Sequence, residues 1–188
     1  TGWADALEDV ARFGALVLGP GLGTEPGVAA DVSAAVTAPC PLVLDGDGLT
    51  ALGRDMAPLR GRETPAVLTP HDGEYERLTG QRPGSDRIAA TRLLAQASSS
   101  VVLLKGPATV VAAPDGEVLV STTGDERLAT AGSGDVLAGI IGALLAQAVP
   151  PFRAAALGAF LHGRSATMSR ERGIVASDLL AAIPEVLH

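Results

Sequence analysis

Cysteine occurs once in the 188 residues. Cys40 has no second thiol in the chain to pair with, so an internal disulfide and a thiolate metal cluster are both excluded, and a reducing cytoplasm fits. Placed between Pro39 and Pro41 at the entry to an apolar run, it reads as a small buried filler and not as a nucleophile. Aromatic residues make up only 3%, and the abundance of Ala, Val, Leu and Gly suits helices packed closely on a parallel sheet. There is no cluster of Lys and Arg, and the formal net charge is -7, which argues against nucleic acid or an anionic membrane as a partner. A basic segment followed by an apolar one is missing at the N-terminus, so no signal peptide is expected. The longest apolar stretch, residues 136–149, is too short for a membrane span and is interrupted by Gly139, Gly142 and Gln147. Phosphates remain open as ligands, provided that backbone N–H groups and one or two cations hold them locally.

What is present is a globular composition, with 47% hydrophobic and 19% charged residues. The length suits one domain over residues 1–188. Short apolar runs bounded by Gly, Pro or Asp alternate with stretches of helical period. Strands are expected over Ala15–Leu18, Leu42–Leu44, Ala66–Leu68 and Val101–Leu104. Helices are expected over Val28–Val36, Tyr75–Leu78 and Asp86–Ala97. Thr109–Ala113 and Glu117–Ser121 flank Asp115-Gly116, a hairpin signal. Three helical segments then follow, Val136–Gln147, Phe152–Met168 and Ser177–Val186, with Ser177 expected as a cap and His162 as a packed or surface residue. The fold class implied is α/β: a mainly parallel central sheet with helices on both faces and a β-hairpin before the terminal helices. Ligands of such sheets bind beyond the carboxyl ends of the strands, and all four strand ends here carry Gly, Pro, His, Lys or carboxylate residues.

Gly132-Ser133-Gly134-Asp135 stands directly before an apolar helix. Its glycines permit a close approach to a ligand, and the free N–H groups of a first helical turn form an anion site. On spacing alone Asp135 reads best as an N-cap. It also suits removal of a proton from an attacking hydroxyl while the amides hold a transferring phosphoryl group. The motif is not a P-loop, because no Lys-Ser/Thr follows the glycines.

Four further stretches carry candidate chemistry. Lys105, at a strand end, reaches a phosphate or is simply solvated; Gly106 behind it lets backbone lie against a flat base. His71 is either a ligand-facing residue or satisfied by local hydrogen bonds, and Glu74 suits the first turn of a helix. Asp45 and Asp47, at i and i+2, share one face of an extended segment; they hold a Mg²⁺ or its waters, or satisfy nearby amides. The turn Gly19-Pro20-Gly21-Leu22-Gly23 fails as a dinucleotide fingerprint, because Thr24 stands where a third Gly is required.

Residues 128–141, Leu-Ala-Thr-Ala-Gly-Ser-Gly-Asp-Val-Leu-Ala-Gly-Ile-Ile, resemble the signature of the ADP- or ATP-dependent NAD(P)H-hydrate dehydratases, a branch of the ribokinase-like superfamily. Lys105-Gly106-Pro107-Ala108-Thr109 is similar to the family's Lys-Gly-x-x-Thr, which commonly has Ala-Pro where this chain has Pro-Ala. Thr69-Pro70-His71-Asp72-Gly73-Glu74 is similar to Thr-Pro-His-Pro-Gly-Glu, with Asp72 in place of the stiffening proline. Gly19–Gly23 matches the family's glycine turn, and Asp45-Gly46-Asp47-Gly48-Leu49 resembles its Asp-Ala-Asp-Ala-Leu.

The resemblance implies a base at Asp135 and substrate contacts from Gly21, Gly23, His71 and Asp135. It implies nucleotide contacts from Lys105, Gly106, Pro107, Ala108, Thr109, Gly132, Ser133 and Gly134, and Mg²⁺ held by Glu74, Asp45 and Asp47. The implied reaction phosphorylates the ring hydroxyl of hydrated NADH or NADPH with ADP or ATP. The ring nitrogen then expels phosphate and restores the dihydropyridine. A cytoplasmic homo-oligomer, with a fused or separate NAD(P)H-hydrate epimerase, is the expected setting. The motifs run from about Ala15 onwards, whereas a family domain carries further strands and helices before that point. The chain is therefore expected to be N-terminally incomplete and poorly active alone. Two alternatives stay open: a small-alcohol kinase on the same fold, and a nucleotide-binding fragment without turnover.

Overall fold

The computed structural model describes residue 7 and residues 9–23, 25–169 and 173–187. Among them, six strands form one sheet in sequence order: β1 (Leu16–Leu18), β2 (Leu42–Leu44), β3 (Ala66–Leu68), β4 (Val101–Leu104), β5 (Thr109–Ala112) and β6 (Val118–Ser121). The first four are parallel neighbours, in register Leu16↔Leu42, Leu42↔Ala66 and Val67↔Val101. β5 turns back antiparallel on β4, and β6 on β5. The hairpin closes at Asp115-Gly116, where Gly116 N–H donates to Ala113 O. Each strand lies within a residue of its apolar run.

Side chains alternate across the sheet, as a strand's period of two requires. Leu42, Leu44, Ala66, Leu68, Val102 and Leu104 face one helical layer. That layer contains α1 (Val28–Thr37), α2 (Gly46–Leu52), α3 (Ala57–Arg60), α4 (Asp72–Thr79) and α5 (Arg87–Ser98). Val43, Val67, Val101 and Leu103 face the other layer, against α6 (Ser133–Ala146) and α7 (Pro151–Met168). Because both faces are covered, these strands read as unbroken apolar runs and not as alternating ones. α8 (Ala176–Val186) packs on α6 and α7 through Leu179, Val136, Ile140 and Leu161.

Expectations change at several helices. α4 begins at Asp72, three residues before the expected Tyr75. The short helices α2 and α3 were not foreseen: Gly46 and Gly48 disfavour helix in α2, and α3 is a single turn of four residues. Their formation is a tertiary effect: Leu49 and Leu59 are fully buried, each contributing about 1.5–3 kcal/mol. α6 begins at Ser133 with Gly132 as N-cap at φ +82°, three residues before the expected Val136. α8 begins without Ser177 as its cap; Asp178 Oδ2 accepts the Val175 amide at 2.9 Å instead.

Candidate active site at the carboxyl ends of the strands

The ends of β1 to β4 open on one side of the sheet. β1 runs into Gly19, whose φ is +132° and where a Cβ would stand 1.7 Å from the Asp45 carbonyl oxygen. Only glycine fits that approach, and it joins the Gly19–Gly23 turn to the end of β2. Thr24, the last residue of the expected glycine loop, lies outside the described residues.

Asp45 is the last extended residue before α2 and is buried. Its Oδ1 accepts from Lys105 Nζ at 2.7 Å, and Glu74 Oε2 lies 3.5 Å from the same ammonium. One cation from β4 thus sits between a carboxylate from β2 and one from α4. Lys105 is itself three-quarters covered, so the pairing is less screened than a surface bridge.

Asp47 follows the second of its two expected readings and satisfies a nearby amide. The chain turns at Gly46 (φ +52°) into α2, so Asp45 and Asp47 do not share one face of an extended segment. Asp47 Oδ2 instead accepts the Gly23 amide at 2.8 Å, fixing the glycine turn. Among the described residues, no group of three His, Cys, Asp or Glu side chains is arranged to hold a metal ion. Asp45, Asp47 and Glu74 are therefore not a preformed cage.

His71 is the N-cap of α4. Its Nδ1 accepts from the Gly73 and Glu74 amides at 2.9 and 3.2 Å, while Glu74 Oε2 accepts the His71 amide at 2.7 Å. This is a reciprocal capping box with histidine in the usual Ser or Thr role. With Nδ1 accepting, the ring proton sits on Nε2, which lies 3.4 Å from Glu74 Oε1. The His71 ring is half-exposed. Glu74, by contrast, is buried and committed to both His71 and Lys105.

The loop before α6 gives the site its anion-facing wall. Asp135 is the third helical residue and caps nothing; the N-cap position belongs to Gly132. Its exposed carboxylate makes no hydrogen bond or ion pair with any described residue. The Ser133 amide donates to Thr130 O and the Val136 amide to Gly132 O, whereas the Gly134 and Asp135 amides have no acceptor among the described residues. A Cβ on Gly134 would stand 3.5 Å from Asp45 Oδ2 and 3.6 Å from Lys105 Nζ. Gly134 therefore borders the Lys105 ammonium. Ser133 faces the other way: its hydroxyl is 3.0 Å from His162 Nε2, and both residues are buried.

Burial holds the His162 imidazole neutral, pushed down to about 4 from an ordinary 6.5; a hydrogen bond to the Ser133 backbone raises it and the Lys105 charge lowers it further. The folded pKa lies below the unfolded one, so the unfolded chain takes up this proton first as pH falls. Folding stability is expected to drop between pH 6.5 and about 4, by on the order of 3 kcal/mol at most, and this component is absent in His162→Gln. Urea unfolding followed across that range checks it; parallel pH profiles for the two proteins would contradict it.

Gly106 and Pro107 are exposed, and Lys105, Ala108 and Thr109 partly so, along the rim next to Lys105. Two features were not read from the sequence. One is the mutual pairing of Lys105, Asp45 and Glu74, which depends on strand order. The other is Arg87, which donates from Nη1 to Asp72 Oδ1 and from Nη2 to Lys105 O, both at 2.7 Å. Its only sequence signal is its place just after the cap residue Asp86.

A family model described as NAD(P)H-hydrate dehydratase matches residues 3–186. The chain belongs to the NAD(P)H-hydrate dehydratase family. The match begins well before Ala15, where the recognisable motifs start. The bifunctional NAD(P)H-hydrate repair enzyme Nnr of Mycobacterium tuberculosis is 50% identical over 145 residues, 77% of this chain and 31% of that protein. The ADP-dependent (S)-NAD(P)H-hydrate dehydratase of Neisseria meningitidis is 43% identical over 186 residues, 95% of this chain and 62% of that one. The chain thus spans about a third of the length of the first of these dehydratase-family relatives. The ADP/ATP-dependent NAD(P)H-hydrate dehydratase from Bacillus subtilis, co-crystallized with ATP/Mg²⁺, superposes with a TM-score of 0.87 at 33% identity, over 99% of this chain and 69% of that one. Ribokinase from Arabidopsis thaliana, at 16% identity and a TM-score of 0.62 over 95% of this chain and 58% of that one, carries the fold alone. The family's fold is ribokinase-like.

Proposed function

We propose that the protein carrying this chain dehydrates the hydrate of NADH or NADPH at the expense of ADP or ATP, with residues 1–188 lying within a single catalytic domain. The observation that carries this reading is Asp135: an exposed carboxylate without a partner among the described residues, in a first turn whose Gly134 and Asp135 amides are open, with Gly134 against Lys105. A lone carboxylate repels a phosphate, so its place there suits a base that takes the proton of the attacking hydroxyl. The Gly134 and Asp135 amides and Lys105 hold the transferring phosphoryl group.

The adenine nucleotide lies along the exposed Lys105–Thr109 segment, with Gly132 and Gly134 against its phosphates. Ser133 supports the loop from behind through His162. The hydrate is met by the Gly21 and Gly23 turn and the half-exposed ring of His71. A Mg²⁺ that arrives with phosphates keeps several waters and takes one or two carboxylates; Asp45 and Glu74 would supply them by sharing or giving up their contacts with Lys105. When bound, the ion spreads charge on the phosphoryl oxygens. Phosphorylation turns the ring hydroxyl into a good leaving group. The ring nitrogen's lone pair expels phosphate, and loss of a proton from the neighbouring carbon restores the dihydropyridine. No redox change occurs.

Among the described residues no helix is long and apolar enough to cross a membrane. We place the reaction in the cytoplasm, in a homo-oligomer, alongside a fused or separate epimerase. The test supplies NADH hydrate with ADP and Mg²⁺. Return of absorbance at 340 nm with release of phosphate is expected. A stable phosphorylated product would assign the site to a small-alcohol kinase, and no turnover of any hydrate would reject the reading.

A further inference from the structure

We propose that Arg87 is a positioning residue that clamps the nucleotide segment to the helix carrying His71 and Glu74. This rests on the proposed function, which assigns Lys105–Thr109 to the nucleotide and His71 to the hydrate. Arg87 opens α5, far in sequence from both loops. Its guanidinium spans from Asp72 Oδ1, in the first turn of α4, to the Lys105 carbonyl at the end of β4. A Cβ on Gly106 would lie 2.5 Å from Arg87 Nη2, so the Lys105–Gly106 peptide rests directly on the guanidinium. Four-fifths of the side chain is covered. Its Nε is the only buried side-chain polar atom without a partner among the described residues. Burying such a donor unsatisfied is unfavourable, so the fold keeps the guanidinium here against a local penalty.

The contacts close a ring. Lys105 is held at its carbonyl by Arg87 and at its ammonium by Glu74 and Asp45. Asp72 and Glu74 lie in one helical turn, so α4 grips Lys105 from both ends. The ion pair from Arg87 to Asp72 ties the first turn of α4 to the start of α5. The two sides of the clamp are not equally dependent on it. α4 is fixed by its own capping box and by the Tyr75 hydroxyl donating to Ala90 O at 3.1 Å. Residues 106–108 are bends with exposed or half-exposed side chains. Loss of the clamp therefore loosens the nucleotide side and leaves the hydrate side in place.

Arg87→Met and Arg87→Lys test this in the intact protein. Lysine keeps the charge but offers one compact ammonium, which cannot span both acceptors as the planar fork does. ADP binding measured by calorimetry is expected to weaken about tenfold in both variants, corresponding to roughly 1.4 kcal/mol. The KM for NADH hydrate is expected to stay within about twofold. Asp72→Asn, which retains one acceptor for the guanidinium, should weaken ADP binding by less. General destabilisation would raise both constants together, and that result overturns the proposal. So does unchanged ADP affinity in folded Arg87→Met and Arg87→Lys when the wild type binds ADP. No ADP binding by the wild type itself overturns both this and the functional reading.

Discussion

Asp135→Asn is expected to lower turnover of NADH hydrate by about 10²–10⁴-fold, the usual worth of a general base, with ADP affinity nearly unchanged. Asparagine has the same shape and remains compatible with the first turn of α6. Since Asp135 caps no amide and pairs with no described side chain, its removal breaks no bond within the fold. What is lost is the ability to take the hydroxyl proton as the phosphoryl group arrives. On the proposed reading, nucleotide affinity rests on the amides of residues 134 and 135 and on Lys105, all retained; loss of one negative charge beside the phosphates acts, if anything, in favour of binding. Steady-state kinetics on both ligands, with calorimetry for ADP, separate the two quantities. Near-normal turnover would remove Asp135 from the chemistry. A parallel collapse of ADP binding and thermal stability would assign it a structural role.

The sheet was legible because its strands are covered on both faces. Leu42–Leu44 and Val101–Leu104 have no polar residue to accommodate, so their apolar runs and boundaries coincide with the observed strands. The location of the site followed from the same pattern, because Gly19, Asp45, His71 and Lys105 each stand just past such a run. Helix starts were less legible. The expected start of α6 at Val136 discounted Ser133 and Gly134, poor helix formers in an interior, although at N1 and N2 their amides have no intrahelical acceptor to gain. That shift of three residues moves Asp135 from the cap into the first turn and removes its structural explanation. α2 escaped detection because burial of Leu49 outweighs its glycines, so Asp47 does not share an extended segment with Asp45, and of its two expected readings the amide-satisfying one is observed. The Lys105–Asp45–Glu74 pairing and the Arg87 clamp join residues separated by 60 positions in one case and 18 in another. No local period records them; they exist only once β2, β3 and β4 lie side by side.

Gly134→Leu is expected to weaken ADP binding by about a hundredfold or more while leaving the protein folded. The position is helical and its φ is not of the left-handed kind, so no backbone strain accompanies a side chain there. A Cβ would meet Asp45 Oδ2 at 3.5 Å and Lys105 Nζ at 3.6 Å, ordinary contacts, and alanine therefore fits without displacement. The remaining carbons of leucine extend beyond that Cβ, which already borders the Lys105–Asp45 pair. If those amides and that ammonium hold the nucleotide's phosphates, leucine removes one or two hydrogen bonds to a charged group, each worth about 1.5–3 kcal/mol. Leucine also favours helix over glycine by somewhat under 1 kcal/mol in an interior position, so a drop in melting temperature is not expected to accompany the lost affinity. Gly134→Ala should fall between, with an ADP Kd raised by about tenfold or less. The graded series matters more than either variant alone, because a site approached closely by ligand responds in order of side-chain size. Unchanged ADP affinity in a folded Gly134→Leu protein would move the nucleotide away from this loop, and with it the reason for an unpaired Asp135 at the start of α6.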